Sequence, residues 1–204
     1  MSKRGYHHGN LRQALVDAAL VLIAEKGPTG FTLSEAAKQA DVTPAAVYRH
    51  FAGRDDLIAE VARQGYEVFA ALMDYAYSDG KPTALAAFES TGRAYLAFAR
   101  KYPGHYMAMF ESGLSFNAHP DLALTAQKAR SVFERAASAL SDQMPADRRP
   151  PATMFSAHIL ALSHGVVELY MRGAGAKSPF VPEDLLEAGI GIYLRGLGLL
   201  PPDA

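Results

Sequence analysis

Two helix-start signals stand close together early in the chain, Thr32-Leu33-Ser34-Glu35 and Thr43-Pro44. The first matches a capping box, in which a threonine hydroxyl and a glutamate carboxylate satisfy each other's backbone amides across the first helical turn. In the second, Pro44 takes the first helical position, where its missing N–H costs nothing. The interval between them has room for one short helix and a turn. Leu33, Ala36, Ala37 and Ala40 supply the inward face of that helix, and Asp41-Val42 makes the turn.

The flanking sequence extends this helical pattern. Asn10, with Gln13 three residues on, predicts the start of a first helix through "LRQALVDAALVLIAEKG". Leu11, Leu15, Ala18, Ala19 and Leu22 form its apolar stripe, and Gly27 closes it. The helix opened by Thr43 is expected to end near Ala52-Gly53. Asp55 and Asp56 then favour the positive end of a long helix whose stripe runs Leu57, Val61, Val68, Phe69 and Leu72. The chain breaks around "SDGKPT" (78–83), and further helices are expected at about 84–101, 103–112, 120–142, 151–173 and 182–199. There is no alternating strand pattern and no internal repeat. The predicted fold is all-α, with a three-helix head at 1–54, a connecting helix at 55–78 and a helical body at 79–204.

Charge is divided along this plan. Residues 1–54 hold seven Lys/Arg against four Asp/Glu, a net of +3, and the remainder carries -4 of the total of -1. A basic head on an acidic body points to a polyanion partner for the head. The chain lacks cysteine, so thiolate metal sites and disulfides are unavailable, which suits a reducing cytoplasm. "MSKRGYHHGNLRQ" turns polar after two basic residues and does not read as a secretory signal. No uninterrupted apolar run approaches the roughly 18 residues of a membrane span.

The stretch "TPAAVYRHF" carries the chemistry. A helix turns about 100° per residue, so Tyr48, Arg49 and His50 cannot all face one core. Val47 and Phe51, four apart, are expected to pack inward against Leu33, Ala37 and Val42. That leaves Ala45, Ala46, Arg49 and part of Tyr48 outside. Two short helices joined by a tight turn and braced by a longer one match the helix-turn-helix plan, whose second helix enters the major groove. Ala45 and Ala46 can approach thymine methyls, and Arg49 can pair with guanine O6 and N7 or with a phosphate. Thr32, Tyr48, His50 and Arg54 are donors suited to phosphate oxygens. The competing reading is a merely solvated face on a small bundle.

"GFTLSEAAKQADVTPAAVYRHFAGRDDL" resembles the DNA-binding head of the TetR (tetracycline-repressor-like) family of bacterial regulators, and the likeness spans about residues 7–62. The resemblance implies phosphate contacts from Thr32, Thr43, Tyr48, His50 and Arg54, and base contacts from Pro44, Ala45, Ala46 and Arg49. The sequence departs from the family at Asp41, where glycine is usual, and at Ala45-Ala46, where polar readers are common. The resemblance also implies a ligand-responsive regulator, in most cases a repressor, that binds a palindromic operator. It implies a homodimer through the last two helices, "HILALSHGVVELYMRGAG" and "DLLEAGIGIYLRGLGLL". Helix-interior glycine independently fits this: Gly189, Gly191, Gly196 and Gly198 each cost about 1 kcal/mol unless another helix approaches closely. The alternative is a frayed terminal helix.

The resemblance further implies a small-molecule effector in the body. "YMAMFESGLSF" (106–116) offers Met107, Phe110 and Phe116, and the preceding helix Phe88, Tyr95 and Phe98, as lining for an apolar or aromatic ligand. Core packing is the default role for such residues. An enzyme is a rival from another class, because His164 and Glu168 share a helix face at i, i+4 spacing. No further ligand falls one turn away, and neither a phosphate-binding glycine loop nor a Gly-x-Ser-x-Gly elbow occurs. No catalytic residue, metal or cofactor is therefore expected. A protein-binding adaptor bundle remains a further alternative.

Overall fold

In a computed structural model of the chain, residues 11–172 and 179–201 are described. The helix cap read at Asn10, the Gly-Ala-Gly that follows Arg172, and Lys177-Ser178 lie outside them. All regular elements among the described residues are helical: α1 (Leu11–Lys26), α2 (Leu33–Gln39), α3 (Pro44–Val47), α4 (Arg54–Tyr77), α5 (Ala84–Lys101), α6 (Pro103–Phe110), α7 (Pro120–Ser141), α8 (Ala152–Val166) and α9 (Pro182–Gly196). A π-helical segment, Val167–Arg172, continues α8.

Local chemistry accounts for the early boundaries. Glu35 N–H donates to Thr32 Oγ1 at 3.2 Å, and Thr32 N–H donates to Glu35 Oε2 at 2.8 Å, which completes the capping box. Lys26 Nζ lies 2.6 Å from Glu35 Oε1. Its hydrogen bond, then those from Thr32, hold the Glu35 carboxyl down to about 2. Helix α2 ends in a Schellman turn: Val42 N–H donates to the Ala37 carbonyl at 2.9 Å and Asp41 N–H to Lys38 at 3.1 Å. Asp41 itself sits at φ 56, the left-handed conformation that explains the family's usual glycine.

Helix α3 is shorter than the sequence predicts. It closes at Val47, and Tyr48 to His50 form a tightened turn, with His50 N–H and Phe51 N–H both donating to the Val47 carbonyl at 2.9 and 3.0 Å. Thr43 has the extended N-cap conformation but makes no side-chain cap bond.

The chain forms two compact units, Met1–Glu67 with Tyr102–Ala126, and Val68–Lys101 with Gln127–Ala204. The sequence reading divides the chain at the 78–83 break instead. In the first unit Leu15, Val16, Ile23, Phe31, Val47, Phe51, Leu57 and Tyr106 make the core. Helix α6, which the sequence groups with the body, packs on α1 in this unit. Gly104 makes that possible, since a Cβ there would stand 2.7 Å from the Leu20 carbonyl oxygen. Glu60, 7 % exposed, accepts from Arg12 Nη2 at 3.0 Å, from Arg63 at 2.8 and 3.0 Å and from Gln64 at 2.9 Å. Burial pushes its carboxyl up, yet these donors together outweigh burial and hold it far below the ordinary range.

The second unit is built on aromatic packing. Phe69 meets Tyr95 at 5.3 Å, Phe98 at 5.0 Å and Phe133 at 5.8 Å between ring centroids. Helix α9 seats Leu186, Ile190 and Leu194, all buried, and the first two reach 3.4 Å from where a Gly92 Cβ would stand. Arg93 pairs with Glu187 at 2.9 Å, and Arg100 pairs with Glu183.

Gly198 is not in a helix interior, as the sequence reading has it. It lies beyond α9 at φ 74, with Leu199 N–H bonded to the Leu194 carbonyl at 2.9 Å, and so closes the helix. The stretch Ala152–Arg172 is long and apolar enough, by length and composition alone, to cross a membrane, and 33% of its apolar 18-residue window is buried within the chain. Scattered Ser156, His158, Ser163 and His164 keep it from reading as an uninterrupted apolar run.

Candidate nucleic-acid interface

The turn after α3 presents the polar row outward because its neighbours are held inward. Val47 is fully buried and Phe51 4 % exposed, so their side chains pin the segment at both ends. Arg12 stacks its guanidinium 5.1 Å over the Phe51 ring while bonding Glu60, which ties the end of the turn to α1 and α4. Tyr48 is consequently 62% exposed, and Arg49 and His50 are exposed beside it. Ala45 and Pro44 are exposed and Ala46 half-buried. None of Thr43, Tyr48, Arg49 or His50 makes a side-chain hydrogen bond or ion pair among the described residues.

Two residues of the expected set are engaged elsewhere. The Thr32 hydroxyl donates to Glu35 Oε2 at 2.9 Å. Arg54 Nη1 donates to the Thr29 carbonyl at 3.3 Å, and its buried Nε makes no hydrogen bond but pairs with Asp55 at 3.7 Å. Both would have to exchange an internal contact for a phosphate oxygen.

The structure also brings in residues that sequence reasoning missed. Ser34 and Lys38 of α2 line a groove of about 610 Å³ with Asp41, Val42, Thr43, Pro44 and Ala46. Their i, i+4 spacing on the polar face of α2 was the available signal.

The candidate effector residues divide between the units. Phe88, Tyr95 and Phe98 are buried in the second. Met107, Phe110 and Phe116 lie in the first, where Phe110 packs against Tyr106 at 4.9 Å and Tyr66 at 6.0 Å, and Phe116 is 45% exposed. No group of three or more histidine or acidic side chains able to hold a metal ion occurs among the described residues.

Comparison with known proteins accords with this geometry. The profile described as bacterial regulatory proteins, tetR family, matches residues 15–61, and that of the tetracyclin repressor-like C-terminal domain matches residues 88–193. The chain belongs to the TetR family. It is therefore a transcriptional regulator of that family with a helix-turn-helix DNA-binding domain.

Among relatives, it is 30% identical over 100 residues to the uncharacterized HTH-type transcriptional regulator YobS of Bacillus subtilis, a match covering 49% of this chain and 51% of that one. The chain thus spans about half the length of that curated relative. A protein of unknown function from Rhodococcus sp. RHA1 superposes with a TM-score of 0.78 at 24% identity, over 95% of this chain and 98% of the other. AibR, in complex with isovaleryl coenzyme A and operator DNA, gives a TM-score of 0.70 at 16% identity, over 90% and 97%. At these identities the structural likenesses establish the fold alone.

Proposed function

We propose that the protein is an effector-controlled repressor, acting in the cytoplasm as a homodimer on a near-palindromic operator. The observation that carries this reading is the solvent-facing, unbonded row Tyr48-Arg49-His50, held over the buried pair Val47 and Phe51. Arg49, with Pro44, Ala45 and Ala46, reads bases, while Thr32, Thr43, Tyr48, His50 and Arg54 hold phosphates. In functional terms the head is 1–54, the connecting helix 55–78 and the body 79–204.

The dimer forms through α8 and α9. Met154, Leu162 and Leu169 along α8 and the π segment are 53%, 37% and 64% exposed, and Ile192 on α9 is 66% exposed. Gly196 of α9 has nothing within 4 Å of its would-be Cβ, which leaves room for another helix to approach. An exposed apolar face of this kind calls for a protein partner, and a second copy supplies a self-complementary one. The same requirement accounts for the apolarity of Ala152–Arg172 without a membrane.

The effector is a small apolar or aromatic molecule, with Phe88, Tyr95 and Phe98 of the second unit as one candidate lining and Met107, Phe110 and Phe116 of the first as another. AibR's complex with an acyl-coenzyme A supports a small-molecule effector in this fold. Helix α4 runs from Arg54 beside the reader to Tyr77, so a ligand that favours one tilt of α4 opposes DNA, and DNA opposes it by the same factor. A coupling of about 1–3 kcal/mol is typical.

The test is fluorescence anisotropy of the full chain on duplexes from the promoter of its own gene. Saturable binding to two half-sites about one helical turn apart, or a multiple, is expected. Equal affinity for every duplex at matched salt, or tight binding of a single half-site by a monomer, overturns the reading.

A further inference from the structure

His164 and Glu168, which the regulatory reading leaves without a task, lie at the junction where α8 gives way to the π-helical segment. Such wide-turn insertions recur at functional sites, because they turn side chains out of helical register. Two polar atoms at this junction have no hydrogen-bond partner. Ser163 is fully buried and its Oγ makes no hydrogen bond, and Glu168 Oε1, covered although the side chain as a whole is 37% exposed, makes none either and has only an ion pair with Arg172. Arg172 Nη1 lies 3.8 Å from that oxygen, outside hydrogen-bond distance. One turn before Glu168, His164 Nδ1 is 3.1 Å from the Tyr95 hydroxyl. The Tyr95 ring in turn packs edge-on against Phe69 and Phe133. The aromatic packing thus leads to the Tyr95 hydroxyl and its His164 partner, and Ser163 and Glu168 lie on either side of His164 along the helix.

A buried donor or acceptor left unpaired is costly, and native proteins leave few. Two within one helical turn or so mark a place where a partner outside the chain is expected. The partly exposed Glu168 gives that partner a path from solvent. A carboxylate only accepts hydrogen bonds, so Glu168 can bond a hydroxyl or an amine but finds no donor on a ligand carboxylate.

We propose that this junction is the polar end of the effector site, taking a hydroxyl or amine on an aromatic body in preference to a carboxylate. The proposal rests on the effector-controlled reading above and specifies the chemistry of its ligand. Ser163 and Glu168 hold the donor group, the Tyr95–His164 pair orients beside it, and the aromatic wall takes the body.

The experiment compares 2-phenylethanol, 2-phenylethylamine and phenylacetate by ligand-observed NMR on the full chain, wild type, Ser163→Ala and Glu168→Gln. The alcohol and amine are expected to bind wild type at least about tenfold tighter than phenylacetate, and Glu168→Gln to erase most of that preference. Ser163→Ala is expected to weaken the alcohol while leaving Tm unchanged or higher, since the hydroxyl has no partner within the chain to lose. A purely structural serine gives the reverse, a lower Tm with unchanged ligand preference. Preference for phenylacetate, a preference that survives Glu168→Gln, or no binding of any of the three with ordered water alone on Ser163 and Glu168, overturns the proposal. The same compounds are then titrated against the DNA complex. If one shifts DNA affinity equally in wild type and both variants, the effector reading stands and this site falls. If the alcohol or amine binds through Glu168 yet leaves DNA affinity unchanged, the site stands and the effector reading falls.

Discussion

His105 Nδ1 donates to the Val61 carbonyl oxygen at 3.0 Å, joining α6 to α4 in the unit that carries the DNA reader. The imidazole is buried, and burial pushes its pKa down against the Val61 carbonyl and Asp17, which favour the proton. The folded value therefore lies below the unfolded one of about 6.5. For such a group the stabilisation is fully present above the unfolded value and is lost as pH falls through the folded one. Wild type should lose urea resistance between pH 7.5 and 5.5 by more than His105→Gln, which keeps a donor but does not titrate. Parallel losses in the two proteins would contradict this.

The packing of α6 should tolerate one glycine replacement better than another. A Cβ at Gly104 meets the Leu20 backbone at 2.7 Å, whereas one at Gly65 meets the Met109 Sδ at 2.8 Å and His105 Cβ at 3.0 Å. Backbone cannot step aside, but a thioether can. Gly104→Ala is expected to cost about 1–3 kcal/mol. Gly65→Ala should cost less, since alanine recovers about 1 kcal/mol of helix propensity. Equilibrium unfolding of both variants decides the order.

Asp41 at φ 56 stores a small local strain in the turn before the reader. Asp41→Gly should be neutral to stabilising, by up to about 1 kcal/mol, while Asp41→Val should lose about 1–2 kcal/mol. Thermal melting measures both. A valine variant as stable as wild type would rule out the left-handed turn.

On DNA, Tyr48→Phe and His50→Ala should weaken all duplexes alike. Arg49→Ala should instead relax discrimination at one base position, by about 1–3 kcal/mol. Binding titrations at several salt concentrations on operator and mismatched duplexes separate the effects. Unchanged affinity in all three variants would remove this turn from the interface.

Ile192, the most exposed large apolar residue of α9, gives the dimer test. Ile192→Lys places a charge where the partner helix should close. Sedimentation at micromolar concentration should show dissociation, together with loss of operator binding, while the helical content of the protomer is kept. A dimer that persists would move the interface elsewhere.

Much of this was legible in the residues because local chemistry dictates it. The Thr32–Glu35 capping box, Pro44 at the first position of α3 and the inward pair Val47 and Phe51 are settled within a few residues of chain, and the exposure of Tyr48, Arg49 and His50 follows from them. Helix limits in the body were readable for the same reason, from Pro and Gly punctuation. What depends on long-range contact was not legible. That α6 belongs with α1 and α4 rests on Gly104 and Gly65 lying under close neighbours distant in sequence. That the Arg54 guanidinium turns back to Thr29, and that Ser163 is buried without a partner, depends on which atoms the fold delivers to each side chain. Sequence periodicity can say which face of a helix is apolar. Only tertiary packing decides what that face meets, and which polar atoms are left without a bond when it closes.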